Sequence, residues 1–401
     1  MLYRIHFLSK SFFLMSVFIF SCNPGPTSYK ILTINRSKSA RTSETIEIAL
    51  SDVPNFFKSN YDNLVVMNRN GEELLVQHLD IDQDSIYDHI IFQTYFEPNE
   101  SKEFTLTTRK KIPREEPKQY TFCRIVPERM DDFAWENDKV AFRTYGPECQ
   151  RLYEEEIPGG LISSGIDVWT KRVDYPIINK WYKDDKNGKS YHQDHGEGLD
   201  AYHVGTTRGC GGTAILQNED FILSKNFISW KILTNGPIRS VFELEYAPIE
   251  VGGQSVGEKK RITLNLGSNL YHCKVFYDSK EPLNSAAIGL ALHEGKGTVN
   301  QNMEKGWVTH WEAYDDSELG TAIVLDPEIL EAIQINDTLA KDERFNNIWA
   351  ITNVKQNTFS YWAGFGWKKS GHFNSQEEWK KYVKKEALKK NIPIQIKITK
   401  G

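Results

Sequence analysis

The chain has 401 residues, is 39% hydrophobic and carries a net charge of −5. That length and apolar content exclude a disordered chain and allow two domains, each with its own core. Acidic and basic residues are interspersed, with no long basic run before Lys380–Lys400, so the footprint that a nucleic-acid partner requires is missing.

The first residues, MLYRIHFLSKSFFLMSVFIFSC, set Arg4 and Lys10 ahead of an apolar run from Ser11 to Phe20, with Ser21 directly before Cys22. The run is too short for a transmembrane helix and has the order of an export signal. A cysteine at its boundary is what lipidation requires. We therefore expect a lipoprotein signal peptide over residues 1–22, a lipid anchor on Cys22 and a tether over 23–28. Cys123, Cys149, Cys210 and Cys273 make no C-x-x-C pair, which argues against structural zinc, and a chain of this size does not depend on disulfides.

From 29 to 108, runs such as ETIEIALS, NLVVMN, ELLVQHLD, DHIIFQTYF and SKEFTLTTR alternate apolar with polar residues between turn sequences such as NRNGE and EPNES. This pattern predicts an N-terminal antiparallel β-sandwich module. Within it, Asp80, Asp82, Asp84 and Asp88 occupy positions one, three, five and nine of a calcium-type loop, although Ser85 and Ile91 stand where an EF-hand has Gly and Glu. A structural calcium loop and a plain acidic hairpin turn both fit. Residues 109–120, rich in Pro and charge, read as a linker.

Residues 121–401 read as a second, larger β domain, with strand-like runs in KVAFRTYG, FISWKILTNGPIRSVFELEYA, KRITLNLGSNLYHCKVFYD, AAIGLALHE and TAIVLD. Helical period is convincing only in SQEEWKKYVKKEALKK, where Ser375 and Glu378 form a capping-box pattern and Trp379, Tyr382 and Val383 share a face. The chemistry is concentrated in YHQDHGEGLDAYHVG, from Tyr191 to Gly205, where three histidines, three acids and two tyrosines lie in fifteen residues. Its glycines argue against a helix, so His192, Asp194, His195 and Glu197 lack the i, i+4 helical geometry of a zincin metal site. A loop carrying such groups is where a sheet keeps its site.

VPERMDDFAWENDKVAFRTYGPE, SGIDVWTKRVDYPIINKWY, YHQDHGEGLDAYHVGTTRGCGG, SKNFISWKILTNGPIRSVFELEY and YWAGFGWKKSGHF resemble, in order, the DUF4861 family of secreted bacterial proteins. The resemblance covers roughly residues 30 to 390. It implies an all-β chain whose larger domain is a galactose-mutarotase-like β-supersandwich, and a place in the polysaccharide-utilisation systems of Bacteroidetes. The periplasmic face of the outer membrane is then the expected location, since no acidic run follows Cys22 to favour surface display. The resemblance further implies an oligosaccharide dehydratase acting on uronate-terminated fragments of ulvan, an algal polysaccharide.

That reaction removes the C5 proton of a terminal uronate and expels the C4 hydroxyl, so it needs a neutralised carboxylate, a base and an acid. Arg172, Lys180 and Arg208 are the nearby cations, with Arg suited to bidentate carboxylate recognition. His195 is the first choice of base and His192 the second. Tyr202, Tyr191 or His203 can protonate the leaving oxygen, and Asp194 or Glu197 can orient an imidazole. Trp169, Trp181 and Trp135 are candidate sugar platforms, and Arg143, Tyr145, Glu148 and His310 candidate pocket residues. No cofactor is required, and the expected partners are an acidic oligosaccharide and, through the anchor, a membrane. The rival readings are a glycoside hydrolase built on Glu197 with Asp200 or Glu148, a mutarotase-like epimerase, and a carbohydrate-binding lipoprotein without catalysis.

Overall fold

The computed structural model describes residues 28–53, 63–109, 120–335 and 341–401. The expected signal peptide with Cys22, the tether through residue 27 and residues 110–119 of the expected linker lie outside the described residues. The fold is all-β, with five sheets of antiparallel ladders among the described residues.

The first module is a sandwich. Strands Arg41–Ala49, His89–Phe96 and Val76–Leu79 form one sheet. The other contains Ser28–Ile34, Ser101–Thr108 and Leu64–Met67. Alternation does what the sequence predicts: Ile31, Ile46, Ile48, Val66, Ile90, Phe92, Phe104 and Leu106 turn inward to one core. Each such side chain contributes about 1.5–3 kcal/mol of burial. The fourth strand of the second sheet is Gln395–Lys400, which pairs with Ser28–Ile34 in the register Tyr29↔Lys400 to Ile34↔Gln395. This corrects the boundary drawn at 121–401: the chain returns at its far end to the first module, where Ile394 and Ile398 pack on that core.

The larger part is a β-supersandwich. Its eight-stranded sheet runs in the order Phe227–Asn235, Arg239–Val251, Gln254–Asn265, Leu270–Asp278, Thr358–Trp367, Ser317–Leu325, Trp307–Tyr314, Thr298–Asn302. Two five-stranded sheets share a single core with it, Phe133, Trp135 and Phe142 from one and Ile215, Ile288 and Ile348 from the other meeting Phe242, Tyr271 and Phe365. Trp135 is wholly buried there, so it offers no face to a sugar. The four described cysteines are buried and unpaired.

Among the described residues three α-helices decorate the sheets: α1 at Pro147–Glu154, α2 at Ile178–Lys186 and α3 at Gln376–Asn391. The sequence predicts only α3, because two-turn helices are too short for period to emerge. In α3 the Ser375 hydroxyl accepts from the Glu378 amide at 3.3 Å, while the Glu378 carboxylate accepts from the Asn374 amide at 2.8 Å, one residue earlier than a capping box requires. Trp379, Val383 and Ala387 bury against Trp307, Trp311 and Phe373. Gly320 and Gly366 pair across two strands beneath Trp379, and a Cβ on Gly320 would lie 2.4 Å from the indole, so this flat spot in the sheet is what seats the helix. Helix α2 is held from below: the buried Glu136 carboxylate accepts from the Ile177 and Ile178 amides at 2.9 Å and from Lys171 Nζ at 2.9 Å. Free amides at a helix start attract such a charge.

Candidate functional site

The strands Asp132–Glu136, Ala141–Thr144 and Ile166–Lys171 are buried along their whole length, polar residues included. Arg143 lies directly across the ladder from Asp167. Its Nη2 is 2.5 Å from Asp167 Oδ2 and 3.2 Å from Asp200 Oδ2, and its Nε is 3.8 Å from Asp132 Oδ2. Three carboxylates thus surround one guanidinium, with Arg129 close by. Burial disfavours their charged forms. It pushes Asp132 up to about 6 against the pull of Arg143 and Arg129. Asp167 is raised by burial and then by the charge of Asp200, and Asp200 by burial, with Arg143 opposing. Protons therefore remain on this trio at pH values where an exposed aspartate is fully ionised.

The backbone between Arg129 and Asp132 is built for this placement. Met130 and Asp131 both adopt left-handed conformations, with φ of 54° and 57°, turning the chain so that both flanking side chains approach Arg143. Gly146 closes on that turn: a Cβ there would lie 1.9 Å from the Asp131 carbonyl oxygen, while its amide donates to Asp132 Oδ1 at 3.0 Å.

Above this floor opens a cleft of about 430 Å³, lined by Arg129, Arg143, Tyr145, His192, Asp200, Tyr202 and His203. His192 is exposed, and its Nδ1 lies 2.8 Å from the Asp200 carbonyl oxygen and 3.6 Å from Asp200 Oδ2. A carbonyl only accepts, so Nδ1 carries the proton and Nε2 holds the lone pair of the neutral ring. Tyr191 is buried with its hydroxyl 3.4 Å from both Arg129 Nε and Arg143 Nη1. Tyr202 is buried with its hydroxyl unpartnered. His203 is exposed, 3.3 Å from Glu343 Oε1.

Several of the predicted site residues are elsewhere. His195 faces a small recess with Trp181, Asp184, Lys189 and Glu197, its Nε2 3.1 Å from the Ser190 carbonyl oxygen. Asp194 is paired with Arg172, whose guanidinium lies 4.9 Å over the Trp367 ring. The Glu197 carboxylate accepts from Tyr175 at 2.5 Å, Lys180 at 2.9 Å and Trp181 Nε1 at 3.1 Å, and Lys180 also binds Asp184 at 2.8 Å. Arg208 is buried, donating to Ser164 Oγ at 2.7 Å and the Thr206 carbonyl at 2.9 Å, and burial lowers it to about 10. It is a cross-brace with no reach to a substrate. Trp169 and Trp181 stack 5.5 Å apart in a buried cluster with Tyr182 and Tyr191, so neither presents a face to a sugar. Glu148 pairs with Arg151 on the surface of α1, and His310 is buried.

Two groups escaped the sequence reading. Arg129 and Asp132 sit in VPERMDDFAWE but far along the chain from the histidine-rich loop, and the pairing of the strand Asp132–Glu136 with Ala141–Thr144 together with the turn at Met130–Asp131 unites them with it. His293, Glu312 and Glu343 carry no motif at all. In the first module, carboxylate oxygens of Asp80, Asp82 and Asp88 come within 4.8 Å of one another, whereas Asp84 accepts from the Ile86 amide at 2.7 Å and stands outside that group.

Residues 34–396 match the family described as a domain of unknown function, DUF4861. "Uncharacterized protein P7" of Formosa agariphila is 38% identical over 397 residues, covering 98% of this chain and 99% of that protein. Two solved structures from Enterococcus faecalis, an alpha-mannosidase and a protein in glycosyl hydrolase family 38, align over 93% of this chain with a TM-score of 0.49, at 10% and 9% identity. The chain spans 46% and 47% of their lengths.

Proposed function

The chain belongs to the DUF4861 family, and from that premise we propose that it is a carbohydrate-active hydro-lyase, an oligosaccharide dehydratase that converts a non-reducing-end uronate of an ulvan-type oligosaccharide into its unsaturated form. One observation carries the reading: a buried arginine ringed by three buried aspartates opens into the same cleft as a histidine with an available Nε2.

Elimination alpha to a carboxylate needs that carboxylate neutralised, and Arg143 with Arg129 supplies positive charge on the cleft floor. His192 Nε2 then takes the C5 proton, with Nδ1–H fixed on the Asp200 carbonyl. The C5–H electron pair becomes the C4–C5 double bond, and the C4–O bond breaks. The leaving oxygen takes a proton from a neutral carboxyl of the aspartate trio, with Asp200 nearest His192, and departs as water. No cofactor enters this sequence. The same reading puts the protein on the periplasmic face of the outer membrane, anchored through Cys22.

The test is mass spectrometry of ulvan oligosaccharides ending in a saturated uronate, incubated with the purified chain and with His192→Ala. Loss of one water and a new conjugated absorbance with the wild type alone is the expected result. A gain of water with bond cleavage would make the protein a hydrolase, and anomer exchange without mass change a mutarotase.

A further inference from the structure

Beside the cleft, His293 is bonded at both ring nitrogens. Its Nδ1 is 2.9 Å from Glu312 Oε1 on the strand Trp307–Tyr314, and its Nε2 is 2.8 Å from the carbonyl oxygen of His203 in the cleft wall. The Tyr202 ring meets the imidazole edge-on at 4.8 Å. A carbonyl can only accept, so Nε2 must donate. At Nδ1 one proton is shared with a carboxylate, and the ordinary imidazole pKa exceeds that of a glutamate by about two units, so the proton resides on the ring. Both contacts are met by a doubly protonated, charged imidazole.

We infer that His293 is a positioning residue for the cleft, an imidazolium that clamps the wall segment Tyr202–His203 to the strand bearing Glu312 and lets it go on losing its proton. This rests on the cleft being the reaction site. The groups facing it come from every neighbouring element: Glu312 and buried His310 from the strand, Tyr202 and His203 from the wall, Glu343 from the 343–345 turn, and Glu294 from its own loop. Burial works against the charge, yet the bond and charge of Glu312, with the His203 carbonyl and Glu343, lift His293 above the ordinary histidine range. His310, with Nδ1 3.7 Å from Glu312, is pushed the other way by burial, which disfavours it as a second cation at that carboxylate. Because the folded-state value is raised, the clamp is complete below the ordinary imidazole value and is lost as pH rises through the folded one.

The experiment is a pH titration of the full chain labelled with ¹⁵N at histidine, read at the ring nitrogens of His293, in the wild type and in Glu312→Gln. Alongside it run amide exchange at Tyr202 and His203, and kinetics on uronate-terminated oligosaccharides. In the wild type both nitrogens are expected to be protonated at about pH 7, and exchange at the wall should quicken as the ring deprotonates. In Glu312→Gln the titration should fall by about one unit or more, and the alkaline limb of kcat/KM should fall with it, mainly through KM. A neutral His293 ring in the wild type at about pH 7 overturns the proposal without any variant. So does an alkaline limb that stays in place when the His293 titration moves. Absence of dehydration by the wild type would sink the dehydratase reading, while the ring titration and wall exchange would still decide the clamp.

Discussion

Replacing Asp132 by asparagine should make the protein more stable and less active. Asp132 is wholly buried, and its nearest cation, Arg143 Nε, is 3.8 Å away from an oxygen that makes no hydrogen bond. Burial raises its carboxyl from 3.8 to about 6. Its stabilising contribution is thus fully present below the unfolded value, and is lost as pH rises through the folded one. A rise of about two units corresponds to about 3 kcal/mol lost on ionisation. Asparagine mimics the neutral acid, keeps an oxygen for the Gly146 amide and cannot ionise. Urea denaturation at about pH 4 should find the variant close to the wild type, and at about pH 8 up to about 3 kcal/mol more stable. Turnover should fall at the same time, because a carboxyl that holds a proton near neutrality would be gone from the cleft floor. The reasoning is refuted if Asp132→Asn is destabilised equally at both pH values, since the ionised carboxylate would then be a net favourable partner of Arg143.

His192→Ala should lower turnover by about 10²–10⁴-fold, with little change in melting temperature because the ring is exposed, whereas His195→Ala should stay within a few-fold of wild type; a large loss in His195→Ala with His192→Ala near wild type would return the base to His195. Trp379→Ala should cost about 3–5 kcal/mol in urea denaturation by emptying the seat over Gly320 and Gly366. Gly146→Ala should unsettle the turn at Met130–Asp131, and a variant with wild-type stability and turnover would show that the turn does not hold Asp132 in place.

How much of this was legible in the sequence depends on the distance over which each feature is decided. Period-two alternation is local, so the strands and the all-β class could be read directly, as could the cap at Ser375. Helices α1 and α2 last barely two turns and are held by partners elsewhere, α2 by Glu136, so no period announced them. The loop from Tyr191 to Gly205 stood out by composition, yet spacing in a loop says nothing about direction. His192 and His195 are three residues apart and face different recesses. Arg208 read as a free cation because a sequence does not reveal burial. The Arg143 cluster assembles from residues 132, 143, 167 and 200, and His293, in the loop after Ser285–Ala291, meets Glu312 of another sheet and His203 of a third segment. Tertiary packing brings such groups together, and register accounts only for the facing pair Arg143 and Asp167.

The strand Gln395–Lys400 makes the described fold topologically close to a ring. Tyr29 and Lys400 are paired neighbours, so a short splice from the residues after Lys400 back to Ser28 would cross almost no space. New ends could then be opened in an exposed turn such as Gly252–Gly253, between two strands of the large sheet, without removing a single ladder pair. In the natural order of synthesis the same closure delays the first module. Its sheet lacks a strand until Gln395–Lys400 has been made, and Ser28–Ile34 waits for that strand before its edge is covered.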